Sequence, residues 1–144
     1  MERVPIETEL DAVRALARLA RILERGTGDL SLAHYRVLAA VADGHERASR
    51  VATRLALGKP TISSSVDALT RRGLLIRKTA DDQRAAILRI TEAGEAVLAE
   101  VDAALVARLR VVVAQLDDPA AALNALSAFG PALDALADLR MAGR

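Results

Sequence analysis

Apolar residues recur at helical spacing along nearly the whole chain, with a single interruption that constrains the fold. Between residues 6 and 25 they fall three or four positions apart, as on one face of an amphipathic helix. Residues 74–78 and 86–90 instead form two short apolar and basic runs around a polar turn at 79–85, which predicts a β-hairpin. From residue 91 the helical spacing returns. The sequence therefore predicts a mostly α fold with one small β-hairpin.

Local signals indicate where the expected helices begin and end. Ser31 suits an N-cap, because its hydroxyl can accept a hydrogen bond from a free backbone N–H of the first turn. Pro60 stands in a first turn, where no N–H is needed, and Gly130-Pro131 is expected to kink or split the last helix. The expected helices cover residues 6–25, 31–44, 49–56, 59–73, 91–116 and 119–139.

The composition limits both the core and the chemistry. Tyr35 and Phe129 are the only aromatic residues, so Ala, Leu and Val must fill the interior, which favours closely packed helices. The absence of cysteine excludes disulfides, cysteine-containing zinc sites and thiol redox sensing. His34 and His45 have no evident carboxylates to complete a metal site, so neither a metal nor a cofactor is expected.

Two features predict a soluble, cytoplasmic protein. Residues 1–5 lack the apolar core of a signal peptide. Arginines interrupt the apolar stretches, as between Ala104 and Leu116, before these reach the ~20 residues of a membrane span. Neither a membrane-spanning helix nor a membrane partner is therefore expected.

The net charge of +1 conceals an uneven distribution. Residues 44–91 contain ten lysines and arginines against four acidic residues, whereas the rest of the chain has ten basic and fifteen acidic residues. The phosphates of a nucleic acid attract such a basic segment. A basic middle between acidic flanks therefore predicts a nucleic-acid-binding face on a neutral or acidic scaffold.

Two short helices joined by a tight turn and followed by a hairpin are the layout of a winged helix-turn-helix. In the second of these helices Ile62, Val66 and Leu69 share one face, so the opposite face could present small or polar residues to a DNA major groove. An ordinary amphipathic surface helix is the alternative. The front positions are Lys59, Pro60, Thr61, Ser64 and Ala68, with Ser63, Ser65 and Asp67 at the margins and Arg71 and Arg72 at the far end, within reach of phosphates.

Several motifs follow one another along the middle of the chain. They are Val51-Ala52 with Leu55, the run from Lys59 to Ser63 with Val66 and Leu69, Gly73-Leu74, Arg77, Asp82-x-Arg84 and Ile90-Thr91-Glu92-Ala93-Gly94. By their order and spacing they resemble the MarR (multiple antibiotic resistance regulator) family. The resemblance implies a single MarR-type domain over residues 1–144, with a winged helix-turn-helix core at 31–91 between dimerisation helices at 6–25 and 95–140.

The resemblance further implies a homodimeric repressor on a pseudopalindromic operator in double-stranded DNA. Ser64 occupies a position where the family often has arginine, so base reading is expected to depend more on Lys59 and Thr61. Arg71 and Arg77 are expected to contact phosphates. The apolar content of the flanking helices, which exceeds what a small winged domain can cover, agrees with a dimer interface. Packing within one chain is the alternative.

The hairpin tip carries the most specific expectation. An arginine there cannot pack in a core, and a narrow minor groove attracts arginine by its negative potential. The resemblance implies that Arg84 enters this groove and that Asp82 holds it. Gln83 stands where the family often has a second arginine, so a lighter grip is expected. A solvated Arg84 that pairs with Asp81 or Asp82 is the alternative.

The family also implies a small-molecule effector, often an aromatic or phenolic acid, bound between the dimerisation helices and the winged domain. The candidate residues here are Arg18, Arg21, His34 and Tyr35. An arginine could pair with a carboxylate and Tyr35 could stack on a ring. Solvated arginines and a tyrosine packed in the core are the alternative for these positions.

The expected function is therefore sequence-specific transcriptional regulation through DNA binding. No nucleophile with a base, no ligand cluster and no glycine-rich phosphate loop is found in the sequence, so an enzyme is not expected. The alternative is a winged-helix architectural or protein-interaction module without specific DNA reading.

Overall fold

The computed structural model describes residues 5–44, 46–79 and 86–143. Their order of elements confirms the expected mostly α chain with one hairpin, which precedes the last two helices. The elements are α1 (Ile6–Glu24), α2 (Leu32–Ala42), α3 (Ala48–Leu55), α4 (Lys59–Arg71), β1 (Leu75–Thr79), β2 (Ala86–Ile90), α5 (Glu92–Val113) and α6 (Pro119–Ala142).

Three helices begin at a side chain that accepts a hydrogen bond from their first turn. The Ser31 hydroxyl accepts from the backbone N–H of His34 at 3.1 Å, which confirms the predicted N-cap of α2. Thr91 caps α5 and Asp118 caps α6 in the same way. Of the two expected effects of Gly130-Pro131, a split of α6 was wrong, since the helix continues across Pro131, and a kink stays a prediction.

The two strands pair antiparallel, from Leu75 opposite Ile90 to Thr79 opposite Ala86. A further bridge joins Arg47 to Ile87, just before α3. This third edge was not predicted, because a single paired residue has no alternating pattern that a sequence could reveal. It attaches the start of α3 directly to the hairpin.

The core lies between α2, α3, α4, the hairpin and the first half of α5. Its side chains are aliphatic, as the composition requires. The most deeply buried of them are Leu30, Val37, Leu38, Val51, Val66, Leu69, Leu75 and Leu88. We call α2, α3, α4 and the two strands the reading unit, because they share this core.

Gly94 brings α5 against the base of the hairpin. A methyl group at this position would overlap the carbonyl group of Leu74 and approach Ile90 Cγ1 to 2.7 Å. The neighbouring Thr91 hydroxyl donates to the Gly73 carbonyl oxygen at 2.6 Å. The Thr91–Gly94 segment therefore joins the hairpin to α5 by a contact that only glycine permits.

The outer helices leave large apolar side chains exposed. No residue of α1 is buried, and the only buried residue of α6 is Ala137. Ile6, Val13, Phe129 and Leu133 are between 56% and 70% exposed. Helix α6 is also long enough and apolar enough to cross a membrane, with a mean hydropathy of 1.3. The expectation that arginines interrupt every such stretch was wrong for α6, although one helix of this kind is weak evidence for a membrane span.

Candidate nucleic-acid interface

Helix α4 has one buried face and one polar exposed face. Ile62, Val66 and Leu69 are almost fully buried, as predicted from their spacing. Ser65 is also buried, at 4% exposure, because it follows Ile62 by nearly one turn; its expected place at the margin was wrong. The residues on the exposed face include Lys59, Pro60, Thr61, Ser63 and Ser64.

An ion pair joins this helix to the first strand of the hairpin. Arg77 Nη2 lies 2.6 Å from Asp67 Oδ1, and both side chains are about half exposed. Arg77 therefore lies at the edge of the exposed face of α4, with its direction set by Asp67. Asp67 was predicted at the margin of this face and Arg77 as a phosphate contact, but an ion pair between them was not predicted.

The two arginines at the end of α4 differ in their surroundings. Arg71 is exposed in the last turn of the helix. Arg72 donates from Nη1 to the carbonyl oxygen of Asp29 at 3.3 Å, which ties the end of α4 to the loop before α2. Arg71 is therefore the freer cation for a phosphate contact.

A cleft of about 350 Å³ opens between α3, α4 and the hairpin. Its floor is apolar and includes Ile62 and Leu88, while Arg47, Lys59 and Arg77 bring three cations to it from three parts of the chain. Sequence reasoning did not name Arg47 as a site residue. The only signal that could have found it was the basic excess of residues 44–91.

The tight turn between α3 and α4 is held by α2. Arg36 donates from Nη2 to the Leu55 carbonyl oxygen, at the end of α3, at 2.9 Å. The next residue, Ala56, has a left-handed conformation with φ of 52°, which a side chain disfavours. This bond and the burial of Val51 fix the angle at which α4 leaves the turn.

The wing-tip residues Asp82, Gln83 and Arg84 lie outside the described residues, as does His45. Their expected roles stay predictions.

The four effector candidates lie on α1 and α2. Tyr35 donates its hydroxyl to Asp102 Oδ1 of α5 at 2.7 Å, and burial, together with this carboxylate, raises the pKa of Tyr35 far above its usual range. Arg21 pairs with Glu24 of its own helix, and Arg18 is exposed. The structure has clefts of about 250, 350 and 750 Å³ around α3, α4 and α6, and the residues that line them are different from these four candidates.

Within residues 5–44, 46–79 and 86–143, no three His, Cys, Asp or Glu side chains are grouped so that they could hold an ion. Arginine, lysine and hydroxyl side chains dominate the exposed face of α4 and its surroundings. That face can therefore bind anions through charge-assisted hydrogen bonds.

Comparisons with known proteins agree with this geometry. A family model described as the MarR family matches residues 28–85. No curated protein sequence matches the chain.

Solved structures of transcriptional regulators share the whole fold. A MarR-family regulator from Rhodococcus sp. RHA1 is similar at 22% identity, with a TM-score of 0.75, over 95% of this chain and 96% of that one. PcaV from Streptomyces coelicolor, in complex with its natural ligand, is similar at 24% identity and a TM-score of 0.69 over 96% and 98%. The apo form of MarR from E. coli is similar at 18% and 0.73 over 88% and 96%.

Proposed function

We propose that this chain, whose residues 28–85 match the MarR family model, is a DNA-binding transcriptional regulator of that family, a dimeric repressor that binds a pseudopalindromic operator. One observation carries the proposal: Lys59, Arg47 and Arg77 surround a cleft beside the small, polar exposed face of α4. A helix with such a face fits the major groove, and cations at its edges meet the phosphates on either side.

The proposed contacts follow from position on this face. Lys59 and Thr61 read base edges, with Pro60, Ser63 and Ser64 beside them, because all five are exposed at or near the start of α4. Arg71 and Arg77 lie at its far end and at its edge, where they bind phosphates. Arg84 and Asp82 lie outside the described residues. For them we propose that Arg84 enters the minor groove and that Asp82 holds the Arg84 side chain.

The proposed dimer uses the outer helices, at residues 6–25 and 95–140. Its support is the row of exposed apolar side chains on α1 and α6, which water disfavours and a second copy would cover. Residues 31–91 then form the DNA-binding core of each subunit. We place the protein in the cytoplasm, where its operator is.

The proposed effector site lies on α1 and α2. PcaV was solved with its natural ligand, and we propose that a small aromatic or phenolic acid binds this chain beside Arg18, Arg21, His34 and Tyr35. The Tyr35–Asp102 hydrogen bond joins α2 to α5, so a ligand that breaks it would act on both the reading unit and a proposed dimerisation helix.

In-vitro selection from a random-sequence duplex pool tests the main proposal. We expect the full chain to enrich one palindrome and to bind it at least 10³-fold more tightly than random DNA, with an affinity that falls steeply as salt rises. Salt-dependent binding without any enriched sequence would favour the architectural module instead. Sedimentation velocity of the free protein tests the dimer.

A further inference from the structure

Helix α6 presents two different surfaces. Phe129, Leu133 and Leu136 are 56%, 59% and 46% exposed, and belong to the proposed dimer interface. Ala137 is buried and lines a cleft together with Thr53 of α3. The same helix therefore contacts the reading unit of its own chain and offers an apolar surface to a second copy.

Arg54 joins three helices through one guanidinium group. Its Nη1 lies 2.7 Å from Asp134 Oδ1 of α6, and its Nη2 lies 3.7 Å from Asp43 Oδ2 at the end of α2. The Arg54 side chain is only 29% exposed, whereas that of Asp134 is 42% exposed. An arginine held between two carboxylates has a fixed direction, since its planar donors suit both.

Open space flanks this ion pair. A cleft of about 250 Å³ lies beside it, lined by Arg50 and Asp138 among others, and a groove of about 750 Å³ separates the α3–α4 turn from Arg140 and Met141 at the end of α6. Helices α3 and α6 also pack directly on each other, and Ala137 of α6 is buried. The short charge-assisted bond adds a directional contact to this packing while contributing little to stability, because the pair is partly exposed.

We infer that the Arg54–Asp134 ion pair sets the position of the reading unit relative to the dimer interface, which makes Asp134 a positioning residue for binding two half-sites at once. The inference rests on the proposed dimeric operator binding. A reading unit that meets one half-site needs no defined separation from its partner. The two reading units of a dimer must match the spacing of the two half-sites. Once the first unit has bound, the second binds its half-site intramolecularly, and it can do so only at the correct separation.

Asp134→Asn tests the inference by the sign of its effect. Removal of a carboxylate makes the protein more positive, so electrostatics alone predicts unchanged or tighter DNA binding. The inference predicts the opposite for the full palindrome. The probes are a duplex with the palindrome that the wild-type protein selects and a duplex with one of its half-sites, measured by fluorescence anisotropy at one salt concentration.

We expect Asp134→Asn to weaken binding to the palindrome at least five-fold and to change half-site affinity less than two-fold. Asp134→Glu keeps the charge and is expected to restore most of the affinity. The matched control is Asp138→Asn, one turn further along α6, for which the described residues show no ion pair; it should bind both duplexes like the wild type.

Circular dichroism and sedimentation velocity check that each variant is folded and dimeric. Arg54→Gln removes the other partner of the ion pair and should weaken binding to the palindrome in the same way. Palindrome affinity that stays equal or rises in Asp134→Asn would overturn the inference. Equal loss on both duplexes would also overturn it, because the pair would then act within the reading unit. A wild-type protein that selects no palindrome would overturn the proposed function itself, and this inference with it.

Discussion

Arg77 of β1 donates a hydrogen bond to Asp67 of α4 at 2.6 Å, so the strand that leads to the wing and the helix proposed to read bases are joined by one ion pair. Neither side chain is buried. The pair is therefore weak as a stabilising contact but effective in directing the guanidinium along the edge of the DNA-binding face.

Arg77→Ala is expected to weaken binding to the selected operator and to random DNA by similar factors, because a phosphate contact carries no sequence information. The slope of log affinity against log salt concentration should fall by about one. Asp67→Ala is the paired control and should bind random DNA at least as tightly as the wild type, since it removes a negative charge from the face. A change of base preference in Arg77→Ala would assign it to base reading instead.

Lys59→Ala is expected to cost ~1–3 kcal/mol of operator binding and to relax the preference at defined base positions, since a lysine at a helix start can reach base edges. Repeating the random-sequence selection with the variant measures this. Lys78→Ala, an exposed lysine on β1, is the control and should keep the wild-type preference. Uniform weakening of all sequences by Lys59→Ala would identify Lys59 as a phosphate contact.

Arg84→Ala is expected to weaken operator binding by roughly 1–3 kcal/mol while the dimer persists, because the role proposed for Arg84 is a minor-groove contact and not a contact between subunits. Anisotropy titration and sedimentation velocity give the two quantities. Gln83→Ala, next to it, should change the affinity less. A folded dimer of Arg84→Ala with wild-type affinity would exclude the minor-groove role.

Gly94→Ala is expected to destabilise the protein by at least about 2 kcal/mol, since its methyl group has to displace the backbone of Leu74. Gly130→Ala is the matched control within a helix. Apart from its chain neighbours, one of which is Pro131, an added Cβ there contacts nothing within 4 Å, so a much smaller change in stability is expected. Urea unfolding at one protein concentration compares the two. If both substitutions changed the free energy of unfolding equally, the backbone of Leu74 would be able to move away from the added methyl group at no cost.

Tyr35→Phe is expected to cost about 1 kcal/mol of unfolding free energy through loss of the bond to Asp102. The folded state raises the pKa of Tyr35 above its unfolded value near 10. The contribution of the hydroxyl is therefore complete below pH 10 and declines as the pH rises above it. The difference between wild type and Tyr35→Phe should be constant from pH 7 to 9 and smaller at pH 11. A difference that grows at pH 11 would contradict the direction of this shift.

Local spacing alone was enough to predict the order of the elements. The positions of Ile62, Val66 and Leu69 identified the buried face of α4, and Ser31 identified the start of α2. These features depend on residues within one or two turns of each other, where backbone geometry dictates which side chains share a face. Pro131 shows the limit of such local signals, because it predicted a kink or a split and α6 continues across it without a split.

Only the tertiary structure decided which charges meet. Arg77 with Asp67 and Arg54 with Asp134 are ion pairs between different elements, and the backbone of Arg47 pairs with that of Ile87 in the hairpin. Each depends on how whole helices and strands pack as rigid bodies, which the spacing within any one of them does not encode. The sequence determined by itself that a basic winged helix-turn-helix lies between apolar helices. The packing decided how its cations are held and how α6 is connected to it.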